Sequence, residues 1–423
     1  MKKLIIFLIS LSFLKSFGQT PSNDPHWKLV WQDDFNTLNT AIWKVANNFD
    51  HYSGDPNKTF IQGEPQVYTD RSDNVFVSNG NLVLRLKNET YNCPSSALNE
   101  YGCSREARYG VSYNYTSGYV ETQQAYNTQY GFIESRILLP YGVGFWPAFW
   151  TFKGDGVTGS NAAEIDIFEM IGDLPSTVFT TNIHKVYPDD HYSTGLMSSY
   201  ENTYHNYAVE WSPSRIIWYI DGYPVRLFPN HGIIDPVKII LNLAIQPNHN
   251  PSSPFPSDML IDYVKVYELD KDCNDFINSY NYDFSSYNNK VKNFIKIGEG
   301  GGNNSLAVGQ DVTLRASQFI EFTSDFYVPL GAALYVDAND DCSTDISTEC
   351  TQTFNPCTYD FSNYDNLVKK IIKLGNNGCN ITITPTTNNI ILHATTDQII
   401  LNSGVIITST PGKYVELKIV PCN

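Results

Sequence analysis

Up to residue 269 the chain is cut into short stretches in which apolar and polar residues alternate, and no stretch carries the 3.6-residue apolar period of an amphipathic helix. Asn81-Leu-Val-Leu-Arg-Leu86, Phe132-Ile-Glu-Ser-Arg-Ile-Leu-Leu139, Arg215-Ile-Ile-Trp-Tyr-Ile220, Lys238-Ile-Ile-Leu-Asn-Leu-Ala-Ile245 and Ile261-Asp-Tyr-Val-Lys-Val-Tyr267 all read as strands. Asn79-Gly80 and Asp221-Gly222 are hairpin signals, because both dipeptides accept the positive φ of a tight two-residue turn. A composition of 14% aromatic and 17% charged residues suits many half-buried strands. A region of this length built in this way is expected to form one large sandwich or barrel.

A net charge of −16 repels a phosphate backbone, which excludes nucleic acid as a partner. Residues 1–18 read as a secretory signal: Lys2 and Lys3 precede an apolar run from Leu4 to Leu14, and Ser16-Phe17-Gly18 offers a small-residue cleavage site. That run is too short to span a bilayer and no other stretch is long enough, so an exported protein without a membrane span is expected. Export makes disulfides plausible, and the eight Cys are even in number. One pairing is expected, Cys93 with Cys103, closing a short polar loop.

All seven Trp lie before residue 260 and six of the eight Cys lie after residue 272, so the composition changes near Asp270-Lys271-Asp272. Beyond that point Tyr282-Asp-Phe-Ser-Ser-Tyr287 and the residues to Gly298 return 77 positions later, from Tyr359 to Gly375, with 11 of 17 positions identical. Such a match at one offset marks a duplication. Alternation in Val312-Thr-Leu-Arg-Ala316, Ile390-Ile-Leu-His-Ala394 and Val415-Glu-Leu-Lys-Ile419 predicts two β-rich repeat modules, 273–349 and 350–423.

The chemistry is concentrated in Glu164-Ile-Asp-Ile-Phe-Glu169. Strand alternation puts Glu164 and Asp166 on one face and Ile165 and Ile167 on the other. Glu169 breaks the parity and would point into the core, where a carboxylate is costly, unless an extra residue at Ile167-Phe168 forms a β-bulge. With the bulge three acids share one face, where mutual repulsion raises at least one pKa. A protonated acid beside an ionised one is what a retaining glycosidase uses. A Ca²⁺ site or a solvated acidic face is the competing reading of the six residues alone. Just upstream, Trp146 and Trp150 of Phe145-Trp-Pro-Ala-Phe-Trp150 fall on one strand face, as a platform for sugar rings would.

Taken together these residues resemble glycoside hydrolase family 16, concanavalin-like jelly-roll enzymes that cleave β-linked polysaccharides. The resemblance runs from about residue 25 to 269: Leu29-Val-Trp-Gln-Asp-Asp-Phe35, Tyr130-Gly-Phe-Ile-Glu-Ser-Arg136, the Trp146-Pro-Ala-Phe-Trp150 motif, the acid cluster, Thr181-Asn-Ile-His184, Tyr204-His-Asn-Tyr-Ala-Val-Glu-Trp211 and Ile261–Tyr267. It implies an all-β jelly-roll sandwich with Glu164 as nucleophile, Glu169 as general acid/base and Asp166 between them. It also implies substrate binding by Trp146, Trp150, His184, Gln66 and Asn242. A structural Ca²⁺ held by Asp34, the Gly80 carbonyl and Asp262 is implied as well; no cofactor is expected for catalysis. The bulged signature and Glu64-Pro-Gln-Val-Tyr-Thr69 look most like the laminarinase branch, which cuts β-1,3-glucan. Tyr119, where that branch commonly has Arg, and Ile245-Gln246 after Asn242-Leu-Ala leave agar, porphyran or carrageenan galactans as alternatives. A catalytically silent lectin on the same fold would require a lost acid. For the tail, glycan binding and cell-surface attachment are the two candidate roles, and Tyr280, Tyr282, Tyr327 and Tyr335 are its candidate platform residues.

Overall fold

The computed structural model describes residues 20–45, 64–92, 112–122, 126–153, 164–184, 190–195, 199–200, 203–213, 215–230, 233–251, 254–298, 304–322, 326–329 and 331–338, and short strands between 353 and 419. Residues 20–269 form two antiparallel sheets packed face to face, apart from one short parallel pairing of Gln66–Tyr68 with Ser112–Ser117. A ten-stranded sheet runs in the order Tyr223–Pro229, Arg215–Ile220, Tyr204–Trp211, Gly131–Leu138, Ser257–Leu269, Asn81–Asn92, Ser112–Ser117, Gln66–Tyr68, with Trp27–Asp33 and Val75–Ser78 paired at its side. A seven-stranded sheet runs Asp190–Gly195, Val178–His184, Glu164–Glu169, Phe145–Lys153, Val237–Ile245, Tyr119–Thr122, Trp43–Val45.

Burial selects the inward face of each strand. The core between the sheets takes Leu82, Leu84 and Leu86 from one strand, Ile133 and Ile137 from another, and Ile165, Ile167 and Phe168 from the acid-bearing strand. Both hairpins form with two-residue loops, Ser78 pairing with Asn81 and Ile220 with Tyr223. Their central residues take positive φ, +52° and +72° at Asn79-Gly80 and +50° and +80° at Asp221-Gly222. The chain passes from one sheet to the other at Gly118, where a Cβ would stand 2.6 Å from the Asn74 carbonyl oxygen.

Pairing changes character after Leu269. From Lys271 on, the strand pairs among the described residues are parallel: Lys271–Asp272 and Ile277–Ser279 with Val291–Ile297, Val291–Ile297 with Asp311–Phe322, Asp311–Phe322 with Ala333–Ala338, and Asn304–Ser305 with Phe326–Tyr327. The strands between Thr353 and Ile419 also pair in parallel, in three small sheets. Stacked rungs result, and in the first block Phe276, Phe294 and Phe319 lie ring on ring at 4.8 and 5.2 Å. Alternation predicts strands in this tail, but the same alternation serves parallel and antiparallel pairing, so the stacking was not readable in advance. Among the described residues no helix is long and apolar enough to cross a membrane. Cys273 is disulfide-bonded and no described cysteine is free. The Cys93–Cys103 pairing and the signal segment lie outside the described residues.

Candidate catalytic site

The acid-bearing strand runs between Phe145–Lys153 and Val178–His184. Glu164 stands opposite Phe152 and His184, and Asp166 opposite Trp150 and Asn182. The register then slips by one residue, so that Phe168 faces Phe149 and Glu169 faces Ala148 and Thr180. Ile167 is the inserted residue. Its side chain and that of Phe168 both enter the core, 2% and 0% exposed, and this turns Glu169 onto the outer face beside Glu164 and Asp166.

A bulge disturbs the ladder, and the Asp166 carbonyl finds a partner from the opposite sheet: the buried indole of Trp218 donates Nε1–H to it at 2.9 Å. Arg226 lies 4.4 Å over the Trp218 ring and donates Nη1–H to the Thr181 carbonyl and hydroxyl at 3.1 and 2.9 Å. Two residues of the ten-stranded sheet thus brace the two central strands of the site from behind. Neither was singled out by sequence reasoning, because their partners are 52 and 45 residues away and nothing local marks them.

On the open face the acids are close and poorly solvated. Asp166 and Glu169 share a side-chain hydrogen bond, and burial raises both carboxyls. Glu169 is pushed up to about 8, by burial first and then by the charge of Asp166, against the Trp146 hydrogen bond that favours its ionised form. That bond runs from the indole Nε1 to Oε1 at 2.9 Å. His184 Nε2 lies 3.4 Å from Asp166 and 3.8 Å from Glu164, and Asn182 Nδ2 donates to it at 2.7 Å. Ligand atoms of Glu164, Asp166 and His184 all fall within 4.8 Å of one another.

The remaining sequence candidates divide into two groups. Trp146 and His184 are half-buried and offer surface to a ligand. Trp150, 7% exposed, donates to Asn242 Oδ1 at 2.8 Å, and Asn242 in turn donates to the Tyr68 hydroxyl at 3.1 Å. Gln66 accepts the Ile245 amide at 3.0 Å and donates to Glu64 at 2.9 Å. Both Gln66 and Asn242 are buried, and their amides are engaged in protein hydrogen bonds.

Far from the acids, strand pairing carries Asp34 and Gly80 to the end of the sheet where Asp262 lies. Carboxylate and carbonyl oxygens are donors that calcium takes. One oxygen of Asp262 is held by Arg136 at 2.6 Å and one of Asp34 accepts from Gln32 at 3.1 Å.

The model of glycosyl hydrolases family 16 matches residues 63–248, which contain every acid of the cluster. SCLam, a non-specific endo-β-1,3(4)-glucanase from family GH16, is 30% identical over 92% of its own chain and 58% of this one, with a TM-score of 0.48. The chain belongs to glycoside hydrolase family 16. Within the family it is laminarinase-like, and the matched residues lie in the jelly roll of the two sheets. Glucan endo-1,3-beta-glucosidase A1 of Niallia circulans is 33% identical over 57% of this chain, which spans only 38% of that relative's length. A beta-glucanase of Rhodothermus marinus is 29% identical over 62% of this chain and 92% of its own.

Proposed function

We propose that this family 16 member is an exported, retaining endo-β-glycanase whose substrate is β-1,3-glucan. The observation that carries the reading is the bulge at Ile167, which sets a carboxyl held protonated, Glu169, on the same face as Glu164. Glu164 attacks the anomeric carbon while Glu169 gives its proton to the departing glycosidic oxygen. A covalent glycosyl-enzyme forms and the far part of the glucan leaves. Water then attacks the anomeric carbon, passing a proton to the now ionised Glu169, and Glu164 departs with the configuration retained. Asp166 and His184, beside Glu164, hold the nucleophile in place.

Two relatives named for β-1,3-glucan cleavage support that substrate, and the low Lys and Arg content speaks against a sulfated galactan, which basic side chains would meet. Export rests on the Lys2–Gly18 segment. A calcium ion at Asp34, Gly80 and Asp262 would be structural, tying the end of Trp27–Asp33 and the Asn79-Gly80 turn to the strand Ser257–Leu269. The test is to measure reducing ends released from laminarin, mixed-linkage glucan, agarose, porphyran and carrageenans by the mature protein and by Glu164→Gln. Cleavage of laminarin by wild type, with loss of roughly 10³-fold or more in the variant, is the expected result. Cleavage of a galactan alone would replace the substrate, and equal activity in Glu164→Gln would remove it as nucleophile.

A further inference from the structure

The outward face of the ten-stranded sheet, on the far side of the sandwich from the acids, is covered. Ala208 and Glu210 alternate with the core residues Tyr207, Val209 and Trp211, so they point away from the interior, yet they are only 2% and 1% exposed. Arg315 of the first parallel block lies at this face, itself 1% exposed. Its Nε donates to Asp24 at 2.6 Å and its Nη1 to Asp337 at 2.8 Å, with Glu210 at 3.8 Å and the ring of Trp27 at 5.3 Å. Asp337 also takes both Nη groups of Arg215, at 3.0 and 2.6 Å, and Arg215 reaches Glu210 at 3.2 Å. Beside this network the fully buried His26 contacts Asp24 through Nδ1 and the Tyr287 hydroxyl through Nε2, both at 2.7 Å.

Two guanidinium groups and three carboxylates thus interlock across the junction, three members from residues 20–269 and two from the tail. Exposed ion pairs on a tether would contribute little, but Asp24, Glu210 and Arg315 are desolvated, and removing Arg315 strands the two carboxylates away from water. Tyr287 is the sixth residue of the Tyr-Asp-Phe-Ser-x-Tyr motif that recurs at 359, and Phe284 of the same motif packs in the block's own core. The repeated motif therefore supplies both a core residue and a docking hydroxyl.

We propose that residues 271–338 are an integral layer of the enzyme, docked on the outer face of the ten-stranded sheet through Arg315, so that the tail leaves from the side opposite the catalytic acids. A tail fixed in this way presents the cleft outward from whatever it holds, and it does not act as a module swinging on a flexible linker.

The test is limited trypsin digestion of the full mature chain, following cleavage after Lys271 on reducing gels with sequencing of the new N-terminus. Lys271 is exposed, but its strand is held by the Asp270 amide to the His26 carbonyl and the Val291 amide to the Asp270 carbonyl, at 2.8 and 2.9 Å. Wild type is expected to resist, and Arg315→Ala to be cut about tenfold faster or more, because a freed junction opens locally. Should Arg315→Ala fail to fold, Tyr287→Phe, which removes the hydroxyl that meets His26 and that also donates to the Lys290 carbonyl and accepts the Arg315 amide, decides the matter through a smaller acceleration at the same bond. Rapid cutting of wild type after Lys271, or unchanged rates in the variant that folds, overturns the proposal.

Discussion

The indole of Trp146 donates to Oε1 of Glu169 at 2.9 Å, so a residue of the expected sugar platform also tunes the proton affinity of the acid beside it. The bond stabilises the ionised carboxylate and partly offsets the burial that raises it. Trp146→Phe keeps most of the ring but removes the donor, and Glu169 should then hold its proton to higher pH. A hydrogen bond to a charged group is worth about 1.5–3 kcal/mol, which corresponds to roughly one to two pH units. The descending limb of kcat/KM on the alkaline side should move up by about that amount; an unmoved limb would separate Glu169 from the acid role.

Asp166→Asn is expected to act in the opposite direction. The charge of Asp166 raises Glu169, so removing it lowers the folded pKa and the protonated form is lost at lower pH. The alkaline limb should shift down and the maximal rate fall by about 10²-fold or more, since the nucleophile also loses its neighbour. A limb that moves up instead would mean that the two carboxyls are not electrostatically coupled in this sense.

Trp218→Phe tests the brace behind the bulge. It leaves the Asp166 carbonyl buried without its indole donor, a loss of about 1–3 kcal/mol in unfolding free energy. Urea denaturation is the measurement, and the midpoint should fall with the slope unchanged. If stability is unaltered, the indole contributes only its bulk.

Calcium removal tests Asp34, Gly80 and Asp262. Dialysis against a chelator should lower the melting temperature of wild type, by the linkage between binding and folding, and leave Asp262→Asn unchanged. A wild-type melting temperature indifferent to chelation would show that Arg136 alone serves Asp262.

What could be read from the sequence is what is local. Six consecutive residues suffice to show that Glu169 must be re-aimed, because parity along a strand is dictated by backbone geometry and a buried carboxylate is costly. The two hairpins follow from dipeptides that tolerate positive φ, and the strands of the jelly roll from alternation over a few residues. Which polar side chains work as ties was not local. Only folding brings the Ile245 amide against Gln66 and the Trp150 indole against Asn242. Arg315 in Val312-Thr-Leu-Arg-Ala316 reads as an ordinary outward residue, and only tertiary structure sets Asp24, 291 positions earlier, against its guanidinium. Strand faces and turns are determined by the sequence alone, since backbone sterics act between neighbours. Hydrogen-bond partners, burial and proton affinities were decided by the tertiary structure, since they depend on which distant groups displace water.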